Sequence, residues 1–177
     1  DLPSVQLELV RRLFAINERI ALVLSNGAVV AVDEFVGRVS AILETWLPGQ
    51  AGGSAVADIV LGASEPGGRL AETIPLRLSD TPAYVNLPGS RSVVHYGERV
   101  YVGYRWYDAV DRAVAFPFGH GLGYTRFEYS DLDVVVQDPT TAAATVELTL
   151  TNVGERTGSE VVQVYVGDTE ATVDRPV

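Results

Sequence analysis

The chain of 177 residues contains no cysteine. That removes disulfides, thiolate nucleophiles and cysteine metal ligands together. It leaves the compartment open, because many secreted proteins also lack cysteine. Histidine is scarce, with two residues, which together with the lack of cysteine argues against a zinc site. No apolar run reaches the 18 or so residues of a membrane span. The first residues, DLPSVQLELV, lack the basic and then apolar layout of a signal peptide. Basic residues are few, 13 against 23 acids, and the net charge is -10. With no basic cluster against that field, a nucleic-acid partner is excluded, and a neutral or cationic partner fits better. What is present is a 47% apolar fraction, enough for a real core. The length suits one medium domain or two small ones.

The stretch from Tyr96 to Phe127 divides the chain. Strand and helix patterns alternate before it, and only strand patterns follow it. Aromatics, glycines and arginines crowd within it without one clean period. It reads as a covering segment that ties two folding units together and reaches toward the rim of a cleft.

Before that stretch, Leu2, Val5, Leu9, Leu13 and Ile16 recur at helical spacing, with Pro3 and Ser4 at the start and Ser4 placed to cap. Ile20–Leu24 is a short apolar run that predicts a strand buried on both faces of a parallel sheet. Ala41–Leu47 predicts a second strand, and a helix starts at Ser54 and ends at Gly62. RLAETIP, residues 69–75, predicts a short third strand. Helix, strand, strand, helix, strand is the order of an α/β sheet. A helix and strand this early imply a βα partner upstream of Asp1.

The glycines of PGQAGGSA, residues 48–55, sit before a helix, where backbone N–H groups can cradle a phosphate. The loop matches neither the P-loop nor the dinucleotide fingerprint, so a tight turn beside a sheet edge is the plainer reading. Residues 76–95 predict irregular chain of a length usual for a functional or covering loop. In YGERVYVGYRWYD, residues 96–108, the pattern fits either a strand edge or a short helical turn followed by extended chain. Arg105 can pair locally with Asp108 or Asp111.

After it, Glu128–Val136, Thr145–Leu150 and Glu160–Val166 alternate like strands of an antiparallel sandwich. Between the last two, TNVGERTG is a turn-rich link in which Asn152 and Gly154 suit unusual backbone angles. Three strands do not close a sandwich, so either the rest are expected beyond Val177 or this piece docks onto something else.

Aromatic rings stack on the apolar faces of sugars and also pack domains together. Tyr96, Tyr101 and Trp106 are therefore candidates for a substrate rim, with Glu98 as a hydroxyl acceptor, and Tyr107 shares that pattern. Neither His95 nor His120 has a serine or carboxylate partner at a motif spacing, so no catalytic triad is indicated.

Taken together, several blocks carry a resemblance. They are Leu2-Pro3 before a helix, VLSNG at 23–27, AILETWLPGQAGG at 41–53, and ADIVLG with PGGRLAETIP between 57 and 75. They continue with YGERVYVGYRWYD, with FPFGHGLGYTRFEYSDL at 116–132, and with TNVGERTGSEVVQVYV at 151–166. In this order they resemble the C-terminal part of glycoside hydrolase family 3, of the β-glucosidase and β-xylosidase type. The likeness covers nearly the whole chain, and its WLPGQAGG and FPFGHGLGYT blocks are the most specific.

The resemblance implies a (β/α)8 barrel, then a three-layer α/β sandwich domain, then a fibronectin type III-like antiparallel β-sandwich. On that pattern residues 1–123 form part of the α/β domain with its linker and covering segment. Residues 124–177 begin the fibronectin-like domain. Phe116, Phe118, Gly119, His120, Gly121 and Tyr124 become candidates for the junction between the two. The family's enzymes retain configuration with two carboxyl groups about 5–5.5 Å apart. An aspartate of the barrel is the nucleophile, and a glutamate just before the Leu-Pro is the acid/base. Both fall outside this chain, and Asp1, Glu44, Glu72 and Glu98 are not promoted in their place.

The implied partners are a β-linked glucoside or oligosaccharide and a barrel in the same or another chain, with no cofactor and no metal. The chain alone is expected to be inactive. Two features depart from many relatives: Ala51 follows Gln50 where they have a glutamate, and Val29-Val30 follow Ala28 where they have a proline. Both bear on sugar specificity rather than on the family. A non-catalytic carbohydrate-binding or structural module is the second reading, and a nucleotide-binding α/β protein the third.

Overall fold

Pro3 opens the first helix. Its fixed φ of -56° suits a helix start, and its carbonyl accepts the amides of Gln6 and Leu7. No side chain caps the helix, so Ser4, expected as the cap, is simply its first residue. In this computed structural model the described residues are 2–138, 143–168 and 170–171; Asp1 lies outside them, as does the end of the expected second domain at Val177. The chain is a mixed α/β fold that divides into two units. One comprises Asp1–Ala57, Arg69–His120 and Gln163–Val177, and the other Asp58–Gly68 and Gly121–Val162.

In the first unit, helix α1 (Ser4–Phe14) precedes strand β1 (Ala21–Leu24). Strand β2 (Ala41–Glu44) pairs with β1 in parallel, Ala21 facing Ala41 and Leu24 facing Glu44. The parallel direction is as expected, but burial on both faces is not. Leu24 is buried while Val23 is 45% exposed, because one face alone meets the core among the described residues. The core is Leu24, Val32, Phe35 and Ile74. Val32 and Phe35 are each 1% exposed and come from the turn-rich segment between the strands. There Phe35 and Val36 amides bond the Val32 carbonyl, which folds both side chains inward.

Against this core α1 places Leu7, Val10 and Phe14, and Leu2 joins them from just before the helix. Of the stripe read from the sequence, Leu2 packs inward while Val5, Leu9, Leu13 and Ile16 face outward, with Val5 74% exposed. Two apolar stripes share the helix, and the one carrying Phe14 packs inward. Arg38 closes over the Phe14 ring at 4.0 Å, and Arg11 pairs with Glu34.

Strand β3 (Ile74–Pro75) is shorter than RLAETIP and pairs antiparallel with β4 (Val114–Phe116). The second residue of RLAETIP is drawn elsewhere. Leu70 exchanges backbone hydrogen bonds with His120 and Gly119, at 2.8 and 2.7 Å. Between β3 and β4, the long loop includes a 3-10 turn at Leu78–Asp80 and helix α3 (Tyr104–Ala109). YGERVYVGYRWYD does turn helical, but at its end and not ahead of extended chain as expected.

Helix α2 (Gly52–Val60) follows the glycine loop. A Cβ on Gly52 would lie 2.6 Å from the Pro48 ring. Glycine here answers a close approach of proline, not the need for a phosphate cradle.

In the second unit, β5 (Phe127–Asp138) and β6 (Ala143–Asn152) form an antiparallel pair from Phe127 opposite Asn152. The ladder shifts between Ser130 and Asp133, where Asp131 takes a positive φ of 53°, the mark of a bulge. The link after β6 is held by Asn152. Its Oδ1 accepts Thr125 Oγ1 and the Gly154 amide, and its Nδ2 donates to the Arg156 carbonyl. Its part is side-chain hydrogen bonding rather than an unusual backbone angle. Glu160–Val166, expected as a strand, forms none among the described residues. A strand needs a ladder partner, and Gln163 and Tyr165 instead face Gly119 and Tyr104 in the first unit.

Candidate functional site

A cleft of about 110 Å³ opens in the first unit around α3 and β4. Helical spacing in α3 puts Tyr104, Tyr107 and Asp108 on one side. Tyr104 stacks on Phe118 at 4.8 Å between ring centres, and Tyr165 meets Tyr104 edge-on at 5.9 Å. Three aromatic rings thus form one wall.

Polar groups form the other. Thr73 Oγ1 accepts the Phe118 amide at 3.3 Å, which leaves its hydroxyl hydrogen for another acceptor. Arg112 donates its amide to the Tyr107 carbonyl, and its guanidinium lies 5.8 Å from the centre of the Trp106 ring. That guanidinium also pairs with Asp80 at 3.5 Å. Asp80 is 4% exposed and takes a second contact from Arg77, also at 3.5 Å. Both arginines are largely solvated, so each pair stabilises by about 1 kcal/mol or less. Tyr107 is 6% exposed, and among the described residues no group hydrogen-bonds its hydroxyl. Burial, and then the negative charge of Asp80, push its phenol above the usual 10.0.

The expected rim residues occupy varied settings. Tyr96 is 79% exposed. Glu98 is half-buried, and its Oε2 is enclosed without a hydrogen-bond partner. The Tyr101 amide bonds the Glu98 carbonyl at 2.9 Å. Trp106 stands edge-on to Tyr107 at 5.2 Å, so of the four it lies against the cleft's own residues. Arg105, expected to pair with Asp108 or Asp111, instead stands 5.9 Å from the Tyr104 ring centre.

The expected junction residues fall in both units. In the first, Phe116 stacks on His120 at 5.0 Å, Phe118 stacks on Tyr104, and Gly119 adopts a positive φ of 77°. In the second, Gly121 opens the longer segment, and the Tyr124 hydroxyl donates to the Ile59 carbonyl at 2.7 Å with Arg156 over its ring.

Of the carboxylates left aside, Glu44 is engaged structurally. It accepts the Trp46 amide at 2.8 Å and the Asn26 amide nitrogen at 3.3 Å. Glu72 is exposed. Among the described residues no cluster of His, Asp or Glu could hold a metal ion, and no helix is long and apolar enough to cross a membrane. The sequence reading missed Asp80, Thr73, Arg112 and Tyr165. Their grouping depends on contacts between residues tens of positions apart, and no local pattern signals that. Tyr107 and Asp108 were visible in the YGERVYVGYRWYD block, but their facing partners were not.

Comparison with known proteins extends this picture. A family model described as the glycosyl hydrolase family 3 C-terminal domain matches residues 1–124. The chain is 44% identical over 99% of its length to an exo-alpha-(1->6)-L-arabinopyranosidase of Bifidobacterium breve. It is 42% identical over 99% of its length to the thermostable beta-glucosidase B of Acetivibrio thermocellus. In both cases it spans 23% of the relative's length. The crystal structure of a GH3 beta-glucosidase from Bifidobacterium adolescentis superposes with a TM-score of 0.94 at 45% identity, over 99% of this chain and 26% of that one.

Proposed function

The chain belongs to glycoside hydrolase family 3, and on that premise we propose that it is the C-terminal part of a retaining β-glycosidase acting on terminal, non-reducing β-glucosyl residues. The observation that carries this reading is likeness to glycosidases over 99% of the chain at above 40% identity. The mechanism is double displacement by two carboxylates about 5–5.5 Å apart, one a nucleophile and one an acid and then a base. Both belong to segments other than these 177 residues, the nucleophile to a barrel and the acid/base to the stretch before Asp1. The engagement of Glu44 in a turn supports leaving it out of the chemistry.

The first unit is part of a three-layer α/β sandwich, and the β5–β6 pair begins a fibronectin type III-like sandwich. The α/β part carries the rim side chains Tyr96, Glu98, Tyr101 and Trp106, which border the substrate. The FPFGHGLGYT block links the two domains.

Relatives are named for two sugars, an α-L-arabinopyranoside and a β-glucoside. Both glycosidic bonds are equatorial, so one nucleophile can serve either; the sugars differ at C4 and in the hydroxymethyl group. The test is hydrolysis of the two aryl glycosides by the full natural polypeptide and by the 177-residue chain. The full polypeptide is expected to prefer the β-glucoside, and the chain alone to turn over neither. Turnover by the isolated chain would overturn the placement of the carboxylates, and a preference for the arabinopyranoside would overturn the substrate.

A further inference from the structure

We propose that Asn26 is a site of spontaneous deamidation whose product undoes the turns after β1 and β2, an inference that does not rest on the glycosidase reading. Of the four asparagines, Asn26 alone precedes a glycine. Deamidation begins when the next backbone nitrogen attacks the asparagine side chain, and glycine has no side chain to obstruct that approach. Gly27 is exposed, and among the described residues its amide donates to no group. The Asn26 side chain folds toward this backbone, its Nδ2 donating to the Ala28 carbonyl at 2.9 Å.

The chemistry balances with water alone. The Gly27 nitrogen, its proton lost to hydroxide, bonds to Asn26 Cγ. The Cγ–Nδ2 bond breaks, and that nitrogen takes a proton from water and leaves as ammonia. Water opens the cyclic imide at Cγ to give aspartate, or at the backbone carbonyl carbon to give isoaspartate. One water is consumed and one ammonia released, and nothing is oxidised or reduced.

Glu44 makes the product costly. Asn26 Nδ2 also donates to Glu44 Oε2 at 3.3 Å. Both partners of that nitrogen are acceptors, which fixes it as the donor. Deamidation puts a carboxylate oxygen there, facing the Glu44 carboxylate and a carbonyl with no proton between them. Glu44 Oε1 meanwhile accepts the Trp46 amide at 2.8 Å. Trp46 holds a positive φ of 49°, uncommon for a bulky residue, and its carbonyl accepts Ser25 Oγ at 3.0 Å. Repulsion from residue 26 turns the Glu44 carboxylate away, and the Trp46 turn loses its anchor.

The test ages the full natural polypeptide in mildly alkaline buffer. Trypsin then releases residues 20–38, in which Asn26 carries the only side-chain amide. Mass spectrometry should find aspartate and isoaspartate there about tenfold faster than at Asn17, Asn86 or Asn152, which precede larger residues. Asn26→Asp should quicken hydrogen exchange at the Trp46 amide about tenfold, as for one lost hydrogen bond. Adding Glu44→Gln should restore protection, because the glutamine oxygen accepts the Trp46 amide while its nitrogen donates to the carboxylate at position 26. If residues 20–38 keep their amide as long as the other asparagines do, Asn26 is not the site. Unchanged exchange in Asn26→Asp, or no recovery in the double variant, would equally overturn the proposal.

Discussion

Tyr107 and Phe35 hold the first unit in different ways. Phe35 is 1% exposed and sits at the centre of the core with Val32, Leu24 and Ile74. Phe35→Ala should lower unfolding stability by about 3–5 kcal/mol, through lost transfer energy and the cavity left behind. A urea titration measures it, and a loss below about 1 kcal/mol would mean the ring is not packed as described. Tyr107 makes stability depend on alkali. Its phenol is raised above 10.0 in the fold, by burial first and by Asp80 second. Above pH 10 the unfolded chain releases this proton while the folded chain keeps it, so stability falls as pH climbs. The contribution is complete below pH 10 and is lost as pH rises through the raised value. Tyr107→Phe should remove that part of the alkaline slope. Parallel pH–stability curves for the two proteins would contradict the assignment.

At the scale of elements, Gly119 ties three segments together. Its amide bonds Leu70, its carbonyl accepts Gln163, and its φ of 77° suits glycine. A Cβ there would meet only the movable end of the Gln163 side chain, so the backbone angle sets the cost. Gly119→Ala should therefore destabilise by about 1–2 kcal/mol, read as a lower midpoint in thermal unfolding; an unchanged midpoint would show that the turn relaxes freely. Helix α1 offers the opposite expectation. Leu9 is 56% exposed, so Leu9→Ser in this chain should change stability by no more than about 0.5 kcal/mol. A cost of several kcal/mol in the same titration would show that the outward stripe is buried.

The helix was legible in the sequence from its periodicity, but its inward face was not. Two stripes satisfy the same spacing, and only the placement of β1 and Phe35 chooses between them. Strands β1 and β2 and helix α2 were legible because short apolar runs were bounded by Asn, Pro and Gly. Glu160–Val166 has the alternation of a strand, yet pairing is a property of two segments, and alternation describes only one. The cleft was the least legible feature. Asp80 and Arg112 lie 32 positions apart, and Tyr165 lies further still along the chain.

For the whole molecule, the family follows from likeness over 99% of the chain, while that chain spans about a quarter of each relative's length. On the function proposed above, these residues have a supporting part and the bond-breaking carboxylates lie elsewhere. The most direct measurement is covalent trapping. A 2-deoxy-2-fluoro β-glucoside forms the glycosyl-enzyme intermediate and slows its hydrolysis. The full natural polypeptide is treated with it and digested, and the labelled peptide is sequenced by mass spectrometry. The label should fall on an aspartate outside Asp1–Val177. A label on any aspartate or glutamate within these residues, Glu98 above all, would contradict the account.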